Sequence, residues 1–565
     1  MKRFPSKYWK IGATVIFGLV VYCFWRYRYP FALTYQEQFQ LFLFDNDYFI
    51  ERIGEPGGLA RYIGEFLTQF YNSPTLGAAI LAVALMLMQR LTWRLMRCEG
   101  HYFTSFLPSI LLWYAMGDEN ILLTYTVALL IALMVCWVSA KAFLSWGYER
   151  KMLLRRLYVM LVLIPLLYWL IGPMVLMPTI VLMPASSVYA LAVMAVSAHN
   201  LPFPMMRVMT GISYYRSPEI IIALLVIIPV VTIVVINFVR LLPKERRTVI
   251  LAEAFVVAVG IVSIFMGCGF DQKKYELMEY DQLVRVKDWD GIIAKAEQQT
   301  PDLPMSVCAT NLALAMTNQL GEHAFDFYQH GNEGLLPSFE RNYATTLLKG
   351  EVYFFLGLVN TSQRLAFEAM EAIPNYNKSG RAVKRLAETN LINGQYEVAR
   401  KYLRMLEKTV FYRPWAQQAL AILGNEEQIE AHPLYGTLRQ YRLEDDFLFS
   451  EDELDKVCGQ LFWHNHKNQM AAQYLLMAPL LDKDVPRFMQ YAQYVQSEKQ
   501  YNPRHCQEAI AFAFMQKGQQ PPQGVVSQLI LQQMGDFTRI WSANSSSPEL
   551  GRYRNTVWYY LMIGK

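Results

Sequence analysis

Ile121-Leu122-Leu123-Thr124-Tyr125-Thr126-Val127-Ala128-Leu129-Leu130-Ile131-Ala132-Leu133-Met134-Val135-Cys136-Trp137-Val138-Ser139-Ala140 is twenty residues without a charge. At about 1.5 Å of helical rise per residue, such a stretch matches the roughly 30 Å of hydrocarbon in a bilayer. Ile220–Val239 and Val249–Gly267 repeat the pattern. Working outward from these, spans are expected at about 11–26, 73–92, 102–117, 120–140, 156–172, 179–198, 218–240 and 248–267. No comparable run follows residue 270. The expectation is an all-α chain: a polytopic transmembrane helical bundle of about 7–9 spans over 1–270, then a soluble helical-repeat domain over 271–565.

Charge follows the same division. Up to residue 270 there are 22 Lys and Arg against 13 Asp and Glu, and beyond it 30 against 34. A basic, membrane-facing half joined to a mildly acidic one argues against nucleic-acid binding. Lys2, Arg3, Lys7 and Lys10 precede the first apolar run, and Arg26-Tyr27-Arg28 closes it with no small-residue cleavage site. That run reads as an uncleaved anchor. The positive-inside rule then places the N-terminus in the cytoplasm, with Arg90, Arg94 and Arg97 and the Lys141–Arg156 cluster on the same side. The basic turn Arg240–Arg247 also asks for the cytoplasm, which sends the C-terminal half to the other side. Eight simple passes cannot satisfy both ends. Prolines at 165, 173, 178, 184, 202 and 204 mark 156–217 as the place where broken or re-entrant helices restore an odd count.

The first outer loop, at 27–72, carries most of the chemistry-bearing residues. Leu59, Tyr62, Ile63, Phe66, Leu67 and Phe70 fall at helical spacing and predict an amphipathic helix lying in the membrane interface. Glu37, Asp45, Asp47 and Glu51 gather carboxylates beside it, and Asp118-Glu119-Asn120 forms a second acidic turn between two spans. If those turns meet, acids from two loops converge on one pocket. An extended backbone at Asp45-Asn46-Asp47 lets both acids flank a single point, whereas helical geometry sends them about 200° apart. The plainer reading is that these acids cap the interfacial helix or stay solvated.

The C-terminal half reads as successive amphipathic helices separated by Gly, Pro and Asn turns. Gly394, Tyr396, Ala399 and Leu403 carry the G-x-Y-x-x-A-x-x-x-L spacing of a tetratricopeptide repeat, with a looser relative through Gly357, Ala366, Ala369 and Pro374. A period near 34 residues is not strictly kept, so the pattern is that of a degenerate array, an α-solenoid with a concave surface.

This layout resembles the membrane-embedded C-type glycosyltransferase superfamily. Its members follow the first span with a long outer loop of interfacial helices and an essential acidic residue, and some end in a tetratricopeptide domain. The resemblance implies a polyprenyl-phosphate sugar as lipid-linked donor, used on the extracytoplasmic side of the inner (cytoplasmic) membrane. It gives Asp45 or Asp47, with Glu37 behind them, the role of general base or ligand to a divalent cation; Asp118 joins the candidate site as the acid of the second turn. The whole chain also resembles uncharacterised bacterial proteins that join a multi-pass half to tetratricopeptide-like helices, a likeness that implies no activity.

Weaker signals lie elsewhere. Glu253 sits inside the last span, where an ionisable group faces a partner, a cavity or the interface. Glu219 suits the start of its helix, and Arg207 and Arg216 could meet a phosphate if 199–217 lies outside. His464-Asn465-His466 has metal-compatible spacing without further ligands. Cys308, Cys458 and Cys506 show neither paired nor metal spacing. Glycine-rich phosphate loops, nucleophile elbows, metalloprotease helices and zinc ribbons are absent from the sequence. Three readings follow: a lipid-linked sugar transferase whose repeats bind an acceptor or an envelope partner, a non-catalytic scaffold built on those repeats, and a transporter using Glu253 as proton site.

Overall fold

The computed structural model describes residues 6–98, 100–145, 150–216, 222–242, 247–338, 343–373, 377–443, 453–498 and 501–564. Glu219 and Pro374, singled out in the sequence, lie outside them. Among the described residues the protein is all-α, without strands; Ile121 and Tyr215 form an isolated bridge. The chain divides into two compact units. The first holds Met1–Tyr275 together with Ile373–Gly380 and Met405–Pro414; the second holds Glu276–Ala372, Arg381–Arg404 and Trp415–Lys565.

In the first unit the helices are α1 (Ser6–Cys23), α2 (Pro30–Glu37), α3 (Asn46–Ile53), α4 (Gly58–Thr68), α5 (Pro74–Met96), α6 (Leu107–Ala115) and α7 (Leu123–Ser145). They continue as α8 (Arg150–Ile171), α9 (Leu176–Leu182), α10 (Ser187–Asn200), α11 (Met205–Thr210), α12 (Ile222–Phe238) and α13 (Arg247–Phe265). Among the described residues, five stretches are long and apolar enough to cross a membrane: Tyr8–Arg28, Pro74–Met96, Leu123–Phe143, Lys151–Leu182 and Arg247–Phe265. Phe103–Ala115 and Ala223–Phe238 are shorter apolar helices of the same bundle.

Contacts at the two ends of this bundle fix the course of the chain. At one end the Lys10 ammonium lies 4.3 Å from the Trp93 ring, Met96 packs on Val235 and Val239, and His101 pairs with Glu253. Arg156 donates to the Phe143 carbonyl at that end, tying the start of α8 to the end of α7. At the other end the ring of Phe24 meets Trp113 and Phe265, the Leu122 amide donates to the Tyr214 carbonyl, and the Gly57 amide donates to the Trp169 carbonyl. Each of α1, α5, α6, α7, α8, α12 and α13 therefore runs from one end to the other. The stretch from Gly172 to Arg216 behaves differently. Tyr214 donates its hydroxyl to the Ile171 carbonyl, so α9, α10 and α11 leave the loop end and come back to it. Proline explains why this stretch is broken, because it removes an amide donor and clashes with the preceding turn. Pro173 and Pro184 open short 3₁₀ turns, and Pro204 precedes α11.

Helix α4 reverses the expected amphipathic arrangement. Its face toward the protein is Gly58, Ala60, Arg61, Gly64, Glu65 and Thr68, all buried, while Leu59, Tyr62, Ile63, Phe66 and Leu67 are only half-buried. Gly64 makes this possible: a Cβ there would stand 2.7 Å from the Thr124 Cα at the start of α7. The apolar face instead meets an aromatic group, with Phe42 5.1 Å from Tyr62 and 5.4 Å from Phe66.

The second unit is a solenoid-like run of helices packed on their sequence neighbours, as in Tyr343–Leu356 with Val359–Glu371 and Leu454–His464 with Gln469–Leu481. One apolar core runs through it from Tyr280 to Tyr560. Gly394 takes φ +75° in the turn before Tyr396–Glu407, and Ala399 and Leu403 are buried. Tyr396 packs half-buried against this core and donates its hydroxyl to Glu426. Buried charges in this unit are paired: Arg381 with Asp281 at 2.7 Å, and Arg385 with Glu351 at 2.5 Å and Glu388 at 2.9 Å.

Candidate functional site

The loop end of the bundle collects the acids singled out in the sequence, and the backbone gives each a different setting. Helix α3 begins at Asn46, so Asp45 occupies an extended position before it (φ −145°, ψ 142°) while Asp47 lies in its first turn. The extended geometry that would let both acids flank one point therefore applies to Asp45 alone. Asp45 Oδ2 accepts from Lys408 Nζ at 2.6 Å, and the Phe44 amide donates to the Lys408 carbonyl at 2.8 Å. The Lys408 hydrogen bond holds the Asp45 carboxyl below its ordinary value, so this acid is ionised at neutral pH. Asp47 is exposed. Glu37 ends α2 and is buried.

Asp118 serves its own turn, accepting from the Asn120 amide at 2.9 Å and from Asn120 Nδ2 at 3.0 Å. Its neighbour Glu119 reaches further, to Lys274 at 3.2 Å, and its carbonyl accepts from Arg216 Nη2 at 2.9 Å. The Arg216 guanidinium also stacks 3.3 Å over the Phe39 ring. Through Arg216 the structure brings the second turn next to the Glu37–Gln40 stretch of the first loop. Arg207 is taken up by backbone, donating to the Tyr215 carbonyl at 2.9 Å. Asp45 belongs to a separate group with Lys408.

The densest electrostatic feature here escaped the sequence reading. Glu65 is fully buried on the inner face of α4 and accepts from three donors: Arg52 Nε at 2.8 Å, Arg61 Nε at 3.0 Å and the Tyr48 hydroxyl. Arg52 and Arg61 also turn Nη2 toward Asn377 Oδ1, at 3.5 and 3.2 Å, and pair at Nη1 with Glu51 and Glu55. Burial alone would raise the Glu65 pKa, but the charges of Arg61 and Arg52 and the bonds from Tyr48 and Arg52 bring it below the ordinary carboxyl value. Burial and the adjoining Glu65 charge push the Tyr48 hydroxyl far up. Arg61 and Glu65 stand one turn apart, a spacing that reads as a solvated pair. Gly57, Gly58 and Gly64 on the same side were the signal that this face is packed, since glycine there admits close backbone approach.

Among the described residues no group of three or more His, Cys, Asp or Glu is placed to hold a metal ion. His466 pairs with Glu498 at 3.5 Å on the surface of the second unit.

Among the described residues, two apolar hollows lie toward the loop end of the bundle. One, of about 460 Å³, runs between α5 and α7 under Leu67 and Phe70 and is walled by Ile80, Val83, Leu87 and Leu130. The other, of about 170 Å³, lies by the returning segment, between Met177, Tyr214 and Pro229. Pro229 cannot donate to the Leu225 carbonyl, and the Tyr125 hydroxyl takes that acceptor at 3.1 Å.

A family model described as a family of unknown function, DUF6057, matches residues 7–564. The chain belongs to this family. The matched residues extend over both units. No curated protein and no solved structure matches the chain.

Proposed function

We propose that this member of the DUF6057 family is a multi-pass protein of the inner (cytoplasmic) membrane that acts as a lipid-linked sugar transferase at the loop end of its bundle, with that end facing away from the cytoplasm. The observation that carries the reading is Asp45. It is an ionised, partly exposed carboxylate at the foot of an aromatic wall (Phe42, Tyr62, Phe66) in the first loop. An acid there meets a substrate whose head is polar and whose tail is apolar, and the groove between α5 and α7 offers hydrocarbon surface under the same loop helix. An odd number of end-to-end helices supports this orientation, and so does the gathering of Lys10, Arg90, Arg94, Arg97, Arg156 and Arg247 toward the end opposite the loop, which favours that end as cytoplasmic. The helices after residue 276, a degenerate tetratricopeptide array in this reading, bind the acceptor or an envelope partner.

The test is transfer from a polyprenyl-phosphate sugar by the purified full chain in nanodiscs, with and without a divalent cation. Turnover by the wild type that disappears in Asp45→Asn at unchanged folding supports the reading; turnover unaffected in Asp45→Asn with Asp47→Asn removes it.

A second reading, the non-catalytic scaffold, is favoured by the occupation of the acids: Asp45 by Lys408, Glu65 by two arginines, Asp118 by Asn120. Under that reading Ala399→Trp in the buried helix pair abolishes function while both loop substitutions are tolerated.

A further inference from the structure

At the end of the bundle opposite the loop, and independent of the transferase reading, α13 carries Glu253. One of its oxygens, Oε1, lies 2.6 Å from His101 Nδ1. The other, Oε2, is buried and has no hydrogen-bond partner among the described residues. Glu253 also lines a groove of about 360 Å³ between α13 and the start of α6, whose other walls are Phe103, Leu107, Val249, Ala252, Val256 and two threonines. Among the described residues, Glu253 is the one ionisable group in that lining.

A buried carboxylate oxygen left bare costs far more than one that is bonded, so the vacant acceptor asks for a donor. A lone water is a poor answer, because it needs two to four polar partners and these walls offer few. Glu253 lies six residues into α13, about 9 Å of rise from its start at Arg247, so a polar group can reach it from that end of the helix. Beside it Ala252, and one turn further along α13 Val256, face Leu107 across the groove, apolar surface suited to a chain. The required occupant thus has an N–H donor at one end and hydrocarbon at the other.

We infer that this groove is a binding site for an aminophospholipid, whose primary ammonium donates to Glu253 Oε2 while an acyl chain lies between α6 and α13. His101 is the positioning residue. It holds Oε1 from a left-handed backbone conformation (φ +58°) and fixes the direction in which Oε2 points. The contrast between lipids is chemical: a primary ammonium donates N–H bonds, and the quaternary ammonium of phosphatidylcholine does not.

The experiment is native mass spectrometry of the full chain released from nanodiscs of equimolar phosphatidylethanolamine and phosphatidylcholine with identical chains. One charge-assisted bond in a dry site predicts a retained-lipid preference for phosphatidylethanolamine of about tenfold or more. Glu253→Gln brings that preference close to unity, and Ala252→Trp, which fills the groove, removes the retained lipid of both kinds. Equal retention of the two lipids by the wild type, or a preference unchanged in Glu253→Gln, overturns the assignment. Should Glu253→Gln fail to fold, Ala252→Trp decides alone: undiminished retention of phosphatidylethanolamine in it refutes the site.

Discussion

Arg61 and Glu65, one turn apart on α4, close a 3.0 Å ion pair on the side of the helix that faces the protein. Both side chains are almost completely buried, while the apolar residues of the same helix are only half-buried and pack against Phe42. Charge is tolerated on the inner face because each group there is paired and hydrogen-bonded. Arg52 and Tyr48 from α3 complete the shell around Glu65, so α3 and α4 are joined through one carboxylate.

Glu65→Leu leaves two buried guanidinium groups without their shared counter-charge. Removing one partner of a buried ion pair costs about 3–5 kcal/mol, and the purified full chain in detergent will show this as a large fall in melting temperature. Glu51→Gln, which touches the same Arg52 from an exposed position, should change it little, because exposed pairs contribute about 0–1 kcal/mol. Equal losses in the two variants would refute the central place given to Glu65.

The same carboxylate sets an acid limit. Its pKa in the folded chain lies below 4.5, so folding favours the ionised form. That contribution is complete above the unfolded value and is lost as pH falls through the folded one. Melting temperature measured from neutral pH downward should therefore fall below about pH 4.5 in the wild type, and the decline should be shallower in Glu65→Gln. Parallel curves for the two would show that other groups govern acid sensitivity.

Gly64→Val tests the close approach of α4 to α7. A Cβ already stands 2.7 Å from the Thr124 Cα, and that neighbour is backbone that cannot swing aside. Overpacking of this kind costs typically about 1–3 kcal/mol, occasionally more. Gly535→Val in the second unit, where a Cβ meets open space, gives the helix-propensity change without the clash. A melting temperature lowered no further by Gly64→Val than by Gly535→Val would count against the packing of α4.

Much of this was legible in the sequence, for physical reasons that also mark where legibility ends. Leu123–Ser145 and Arg247–Phe265 announce themselves because a membrane span is a local property: length and hydropathy suffice. The breaks at Pro173, Pro184 and Pro204 were equally local. The inward polar face of α4 was not, since an amphipathic pattern defines two faces and leaves open which one meets protein. Lys408 and Asn377 lay beyond reach for another reason. They stand more than 300 positions from Asp45 and Arg61, and nothing in Lys408-Thr409 or Asn377-Lys378 distinguishes them from any surface turn. Whether the two acidic turns share one point depends on tertiary contacts that local sequence does not encode: Asp45 lies with Lys408, Asp118 accepts from Asn120, and Glu119 pairs with Lys274.

Lys408→Gln separates the chemistry of Asp45 from the stability of the fold. Both side chains of the pair are partly exposed, 47% for Lys408 and 28% for Asp45, so the loss in stability should be small. The carboxyl pKa should meanwhile rise toward its ordinary 3.8, because the main hydrogen bond holding it down is gone. If Asp45 takes a proton from an acceptor during transfer, Lys408→Gln makes it the stronger base while removing a cation beside the lipid phosphate, and Asp45→Asn does neither. Turnover of Lys408→Gln on the polyprenyl-phosphate sugar should then persist with its acid limb shifted upward, with Asp45→Asn inactive. An acid limb that stays in place would mean that another group sets it.

The returning course of α9–α11 makes a prediction about sides. Tyr214 meets Ile171, and Tyr168 of the same turn lies beside Ser197 near the end of α10, so Asn200 should share a face with Asn46 of the first loop. Arg97, after α5, belongs to the opposite end with His101 and Glu253. Single cysteines at 46, 97 and 200, in a background with Cys23 and Cys268 replaced because both are exposed, can be probed in intact cells with an impermeant maleimide. Positions 46 and 200 should label before lysis and position 97 only after it. Labelling of 200 together with 97 would turn the segment into one more full pass, make the count even, and return the helices after residue 276 to the side of the N-terminus.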